Sequence, residues 1–199
     1  DDHLITHNTF TDILVATCVI PESIAEVVFI ISPKKALHLV WEDTIKKVFK
    51  KTPPYWMSDS GEPIPQKPVK YYIFNFEALD KALTIAEQLL AKGIRYFVVV
   101  DESHNFADPK SNRTKSLVRL QTLQDDLYFI WASGSPILKM GAEMVSFLRC
   151  SVPRFNDDAA MRFDKIFRAD AGRANEIFNH RLGMMMAFKV PKSEFSDTK

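Results

Sequence analysis

The chain has 199 residues, 46% of them apolar and 26% charged, with a formal net charge of +1. That size and composition fit one α/β domain, or two small ones, with a core large enough to need no covalent staples. The near-zero net charge excludes a polycation that holds its partners by bulk attraction. The charge is unevenly spread, however. Residues 1–30 carry five acidic side chains and no Lys or Arg. Basic residues then cluster as Lys34, Lys35, Lys46, Lys47, Lys50 and Lys51, and again as Lys110, Arg113, Lys115 and Arg119. Local basic patches of this kind either touch phosphates on one face or are solvated helix faces.

In chain order, Thr11 to Ile20 reads as a helix with Ile13, Leu14, Thr17 and Cys18 on one side. Val27 to Ile31 is apolar, mostly β-branched and uninterrupted, as in a strand covered on both faces, and it ends at Ser32-Pro33-Lys34. Leu37, Trp41, Ile45, Val48 and Phe49 keep the spacing of one helical face, with Trp41 packing that helix on the sheet. Residues 52–68 hold five prolines and read as a surface loop or irregular connection. Tyr71 to Phe74 is a further strand, closed by Asn75-Phe76. A helix over 77–92 turns Leu79, Leu83, Ala86 and Leu90 inward and stops at Gly93. Strands over 95–100 and 127–132 follow, with a helix from Ser111 to Leu123 between them. Beyond 140 the pattern is helical, with Phe147, Phe155, Phe163, Phe167 and Phe178 as packing anchors, and Pro191 onward reads as a polar tail.

Alternating strands and helices predict a mainly parallel sheet with helices on both faces. Each strand then ends in small or polar residues, namely Ser32, Asn75, Asp101-Glu102 and Ser133. In an open α/β sheet these ends share the edge where ligands bind. The run Phe97-Val98-Val99-Val100 ending in Asp101-Glu102-Ser103-His104 is the sharpest feature. Adjacent carboxylates at such an edge suit a hydrated Mg²⁺ and an activated water, the two needs of nucleoside triphosphate hydrolysis. Tyr128 to Ala132 runs into Ser133-Gly134-Ser135-Pro136 in the same manner.

In this order, the pieces resemble the first RecA-like domain of superfamily 2 helicases, in the Swi/Snf-type branch of double-stranded DNA translocases. Ile31-Ser32-Pro33-Lys34 with Trp41 resembles that branch's motif Ia, and Tyr72 to Leu79 is similar to its motif Ib region. Val99 to His104 resembles the DExH form of the Walker B motif, Asn105 to Thr114 the stretch that follows it, and Ala132 to Ile137 motif III. The resemblance implies a RecA-like three-layer α/β sandwich over residues 1–150, a helical extension over 151–190 toward a second RecA-like domain outside this chain, and a tail over 191–199. It implies ATP and Mg²⁺ as cofactors. Asp101 would hold the Mg²⁺ through water, Glu102 would orient or deprotonate the attacking water, and His104 would couple the nucleotide site to Ser133, Gly134 and Ser135. It implies double-stranded DNA, or RNA, as partner, with Ser32 and Lys34 at a backbone phosphate, Asn75 on the same strand, and Arg113, Lys115 and Arg119 adding duplex contacts. From the residues alone, Asn75 is equally a turn residue, and the three basic residues a solvated face.

One departure stands out. Where the family carries a glycine-rich P-loop ending in Gly-Lys-Thr, this chain reads Asp1-Asp2-His3-Leu4-Ile5-Thr6-His7-Asn8-Thr9, and only Thr9 matches, at the motif's last position. Either part of the loop lies outside the chain or the nucleotide site is degenerate. The first favours an ATP hydrolase whose activity needs the second lobe, so that this chain alone turns over little ATP. The second gives a non-catalytic nucleic-acid-binding or scaffold module. A strand-separating helicase or a viral transcription-associated ATPase fits the same motifs.

Other clusters carry less. His3 and His7 are four apart but lack a third metal ligand, and Met184 to Met186 reads as a buried helix or a partner-facing patch. Cys18 and Cys150 read as reduced, buried thiols. With no membrane-length apolar run and no secretory signal, the expected location is intracellular, nuclear or cytoplasmic, with a viral or bacterial source equally compatible.

Overall fold

The computed structural model describes residues 25–124, 129–133, 142–152 and 155–170, together with positions 172, 173, 176 and 180. Thr9, Gly134, Ser135, Cys18, the helix over 11–20, the His3–His7 pair, the Met184–Met186 run and the tail fall outside these residues.

Five strands form one all-parallel sheet: β1 (Val27–Ser32), β2 (Tyr55–Met57), β3 (Tyr71–Asn75), β4 (Tyr96–Val100) and β5 (Phe129–Trp131). Their spatial order is β2-β3-β1-β4-β5. All six residues of β1 are buried, because the strand is central and covered on both faces. The two-residue period of the strands sorts the core into halves. Val27, Phe29, Ile31, Tyr72, Phe74, Tyr96, Val98 and Val100 face one helical layer. Val28, Ile30, Tyr71, Ile73, Phe97 and Val99 face the other.

The second face is covered by a π-helical turn, Leu37–Glu42, that runs into α1 (Asp43–Val48) and buries Leu37, Trp41 and Ile45. The first face is covered by α2 (Leu79–Leu90) and α3 (Asn112–Thr122). Gly93, at φ +72°, lets the chain turn out of α2, with the Ile94 N–H donating back to the Leu89 carbonyl at 3.0 Å. Ser111 caps α3, its hydroxyl oxygen accepting the Thr114 N–H at 3.1 Å. Beyond β5, α4 (Ala142–Ser151) and α5 (Asp157–Ala169) close a smaller cluster of Val145, Leu148 and Phe163. Phe155 stacks edge-on against Phe163 there, and Phe147 packs on Phe129 and Trp131. Cys150 is a free, buried thiol, pushed up to about 12 by burial.

One expectation is corrected. Residues 52–68 are not wholly irregular, since Tyr55–Met57 is a parallel edge strand paired with Tyr71–Ile73. Three residues are too few to show a period, and prolines are tolerated beside an edge strand because one side needs no ladder. The carbonyl of Pro54 nevertheless accepts from Lys70 N–H at 2.9 Å, so the prolines lead directly into the ladder.

Candidate functional site

Strand register sets the site. Ser32 lies opposite Asn75, Ile31 opposite Val100, and Val100 opposite Trp131. The residues just beyond these pairs therefore share the C-terminal edge of the sheet. The chain steps from β1 to the β2–β3 side and then crosses to β4 and β5, so β1 and β4 flank the point where the winding reverses. Ser32 and Asp101 stand at that point.

Asp101 follows directly on β4 and is 9% exposed. Its Oδ2 accepts the Ser32 hydroxyl at 2.9 Å and the Trp41 indole N–H at 3.1 Å. Its Oδ1 accepts the backbone N–H of Glu102 at 2.9 Å. Glu102 then adopts φ 49° and ψ 46°, and is the one non-glycine residue with positive φ among the described residues. Left-handed backbone costs an L-residue about 1–2 kcal/mol and persists only where surrounding bonds enforce it. Here the Glu102 carbonyl accepts both the backbone N–H of Asn105 at 3.0 Å and its side-chain amide at 2.9 Å. The Glu102 carboxylate lies beside His104, with a third of the side chain exposed.

His104 joins this turn to the end of β5. Its Nδ1 lies 3.1 Å from Ser133 Oγ and 3.2 Å from Glu102 Oε2, while Nε2 faces the Asn105 amide nitrogen at 3.3 Å. The Asn105 amide nitrogen is a donor, already fixed as such by the Glu102 carbonyl, so Nε2 must accept. The proton then sits on Nδ1, which faces both Ser133 and the carboxylate. Backbone bonds brace the same junction: Ser103 N–H donates to Ala132 O at 2.9 Å, and Ala132 N–H to Val100 O at 2.8 Å. Asp101, Glu102, His104 and Ser133 are thus brought together.

The expected nucleic-acid residues divide. Ser32 is corrected from a phosphate contact to an internal hydroxyl, with no exposed surface and its proton given to Asp101. Lys34 stands two residues on, exposed in the turn after β1, with no ion-pair partner among the described residues. Lys115 is likewise exposed on α3 and unpaired among the described residues. Arg113 differs from the free cation expected, because it pairs with Glu77 at 3.1 Å and lies 5.2 Å over the Phe76 ring. Arg119 pairs with Glu87 at 2.9 Å. Both arginines tie α3 to the α2 side. Asn75 takes its place at the edge, its N–H donating to Ser58 Oγ at 3.2 Å, while its own buried Oδ1 has no hydrogen-bond partner among the described residues.

Three residues escaped the sequence reading. Trp41 is indeed core, but its indole N–H reaches the site, and helical spacing reports only its apolar body. Asn105 braces Glu102 through its side chain, a role that no periodicity announces. Ser58 became visible only once β2 was seen to be a strand.

No protein-family model matches this chain, and no curated protein does. Among solved structures, it is similar to the SWI2/SNF2 ATPase core of Sulfolobus solfataricus, a structure in complex with dsDNA, at a TM-score of 0.57 and 17% identity. The match covers 78% of this chain and 32% of that one, so the likeness concerns the fold of about a third of that protein. Among the described residues, no helix is long and apolar enough to cross a membrane, and no three His, Cys, Asp or Glu side chains are grouped to hold a metal ion by themselves.

Proposed function

We propose that this chain forms the N-terminal lobe of a Swi/Snf-like helicase-family ATPase, which couples ATP hydrolysis to movement on double-stranded DNA. The observation that carries the reading is the gathering of Asp101, Glu102, His104 and Ser133 at the winding reversal, with Glu102 held in a strained conformation. Strain of this kind collects at functional sites, where it aims a reactive group.

The residues present fit a Mg²⁺ bound as Mg²⁺ usually is, through waters, substrate phosphates and one carboxylate, rather than in a protein cage. Asp101 has one oxygen filled by two donors and the other by one, which leaves a lone pair for a metal-bound water. Bound there, the metal would neutralise charge on the phosphates. Glu102 would orient the attacking water and accept its proton. His104, whose Nδ1 faces both groups, would hold the Glu102 carboxylate and Ser133 together, so that movement of the β5 tip reaches the carboxylate. Lys34 and Lys115 would supply sequence-independent contacts to the DNA backbone.

A second reading has its own observation. Residues 1–9 contain neither Gly nor Lys, which favours a nucleic-acid-binding module with a degenerate nucleotide site. Glu102→Gln in the full-length protein separates the two. The ATPase reading expects turnover to fall by about 10²-fold or more with DNA affinity retained. Wild-type protein without DNA-dependent turnover would favour the binding module.

A further inference from the structure

We propose that Trp41 is a positioning residue for Asp101, acting with Ser32 to fix which carboxylate oxygen faces the crevice. The inference rests on reading Asp101 as the magnesium-side carboxylate. Trp41, Ser32 and Asp101 come from the π-helical turn, the end of β1 and the end of β4, and the first two have no exposed surface. The Trp41 Nε1–H lies 2.9 Å from Ser32 Oγ and 3.1 Å from Asp101 Oδ2, and the Ser32 hydroxyl lies 2.9 Å from the same Oδ2. An indole nitrogen only donates, so it occupies the acceptor side of the Ser32 oxygen. The single Ser32 proton is left to point at Oδ2. The one indole proton is shared between Ser32 Oγ and Asp101 Oδ2, so the indole and the Ser32 hydroxyl both converge on Oδ2 inside the protein, where charge-assisted bonds are strong and few alternatives exist.

This arrangement does what packing alone would not. Phenylalanine would cover the same sheet face, but it would leave Oδ2 with one donor and the Ser32 hydroxyl free to rotate. The carboxylate plane would then no longer be fixed. With both donors in place, Oδ2 is saturated, and Oδ1, holding only the Glu102 N–H, is the oxygen able to accept from a metal-bound water. The π-helical turn that carries Trp41 begins three residues after Lys34, the exposed lysine of the turn that follows β1.

The test titrates Mg²⁺ against a fluorescent methylanthraniloyl-ATP in the full-length protein, for Trp41→Phe, Ser32→Ala and Asp101→Asn. Partners that orient a ligand typically change metal affinity by about 10–100-fold. Trp41→Phe is expected to raise the Mg²⁺ midpoint by about tenfold, with the affinity for metal-free nucleotide unchanged. Loss of packing alone would lower the melting temperature without that split. Ser32→Ala removes the second donor with little change in volume and is expected to act in the same direction. It carries the test alone if Trp41→Phe does not fold. The double variant is expected to lose less than the sum, because both donors serve one oxygen. If Asp101→Asn abolishes the Mg²⁺ dependence while Trp41→Phe and Ser32→Ala match wild type, the positioning role is overturned and the metal site stands. If Asp101→Asn also matches wild type, or if wild type shows no Mg²⁺-dependent binding, the site reading falls and the positioning role falls with it.

Discussion

Glu102 is the strained residue of the site. Its left-handed backbone is held by the Asn105 amide, the Asn105 N–H and the carboxylate of Asp101. Glycine at this position would release the strain, so Glu102→Gly is expected to raise the melting temperature by roughly 2–4 °C, the change about 1 kcal/mol produces in a chain of this size. The same variant is expected to lack turnover, since the carboxylate is gone. A melting temperature below that of wild type would show that the conformation is not strained. Asp101, Glu102, His104 and Ser133 were legible in the sequence because abrupt polar endings of apolar runs are visible without coordinates. Trp41 and Asn105 were not legible in these roles, because what they contribute is hydrogen-bond donors, and donors leave no trace in an apolar pattern. Ser32 was legible as a member of the site but misread in role, since a hydroxyl at a strand end looks the same whether it faces solvent or a neighbouring carboxylate.

Among the elements, β2 is the least obvious and the most dependent on side-chain bonding. Glu42, at the end of the π-helical turn, accepts Lys46 at 2.6 Å and the Tyr55 hydroxyl at 2.6 Å, and lies 2.8 Å from His38 Nδ1. The Lys46 bond first, then those from Tyr55 and His38, hold the Glu42 carboxyl down at about 2, against an ordinary 4.5. A depressed folded value means that this stabilisation is complete above about pH 4.5 and is lost as pH falls toward 2. His38 shifts the other way, raised chiefly by its bond to Glu42, so its smaller share is present below 6.5 and fades as pH rises through the raised value. Glu42→Gln is therefore expected to flatten the acid limb of thermal stability between pH 4.5 and 2, and an unchanged limb would contradict the network. β1, β3 and β4 could be read from the sequence because each holds an apolar run of four or five residues; β2 was hidden by its three-residue length between prolines and a polar turn. The basic residues after β1 and on α3 also separate at this scale. Lys34→Ala and Lys115→Ala are each expected to weaken duplex binding and reduce its salt slope by about one. Arg113→Ala, which removes a partly exposed pair with Glu77, is expected to cost less than about 1 kcal/mol of stability and to leave the slope unchanged. A slope lowered by Arg113→Ala instead would return that residue to the DNA face.

Across the whole molecule, strand order is what turns scattered tips into a site. Alternation of strands and helices predicts parallel pairing but not the order β2-β3-β1-β4-β5, which depends on which way each crossover turns. That order puts β1 beside β4 and so puts Ser32 against Asp101, residues 69 positions apart in sequence. On the proposed function this lobe would supply one wall of a triphosphate site, and the opposite wall would come from a second lobe. The 199-residue chain alone is accordingly expected to turn over ATP negligibly, and near-complete activity from it would remove the need for a partner lobe. The most direct measurement is ATP turnover by the full-length protein with and without duplex DNA. Turnover is expected to rise on adding duplex and to disappear in Glu102→Gln. Turnover indifferent to DNA, or undiminished by the loss of that carboxylate, would contradict the proposed function.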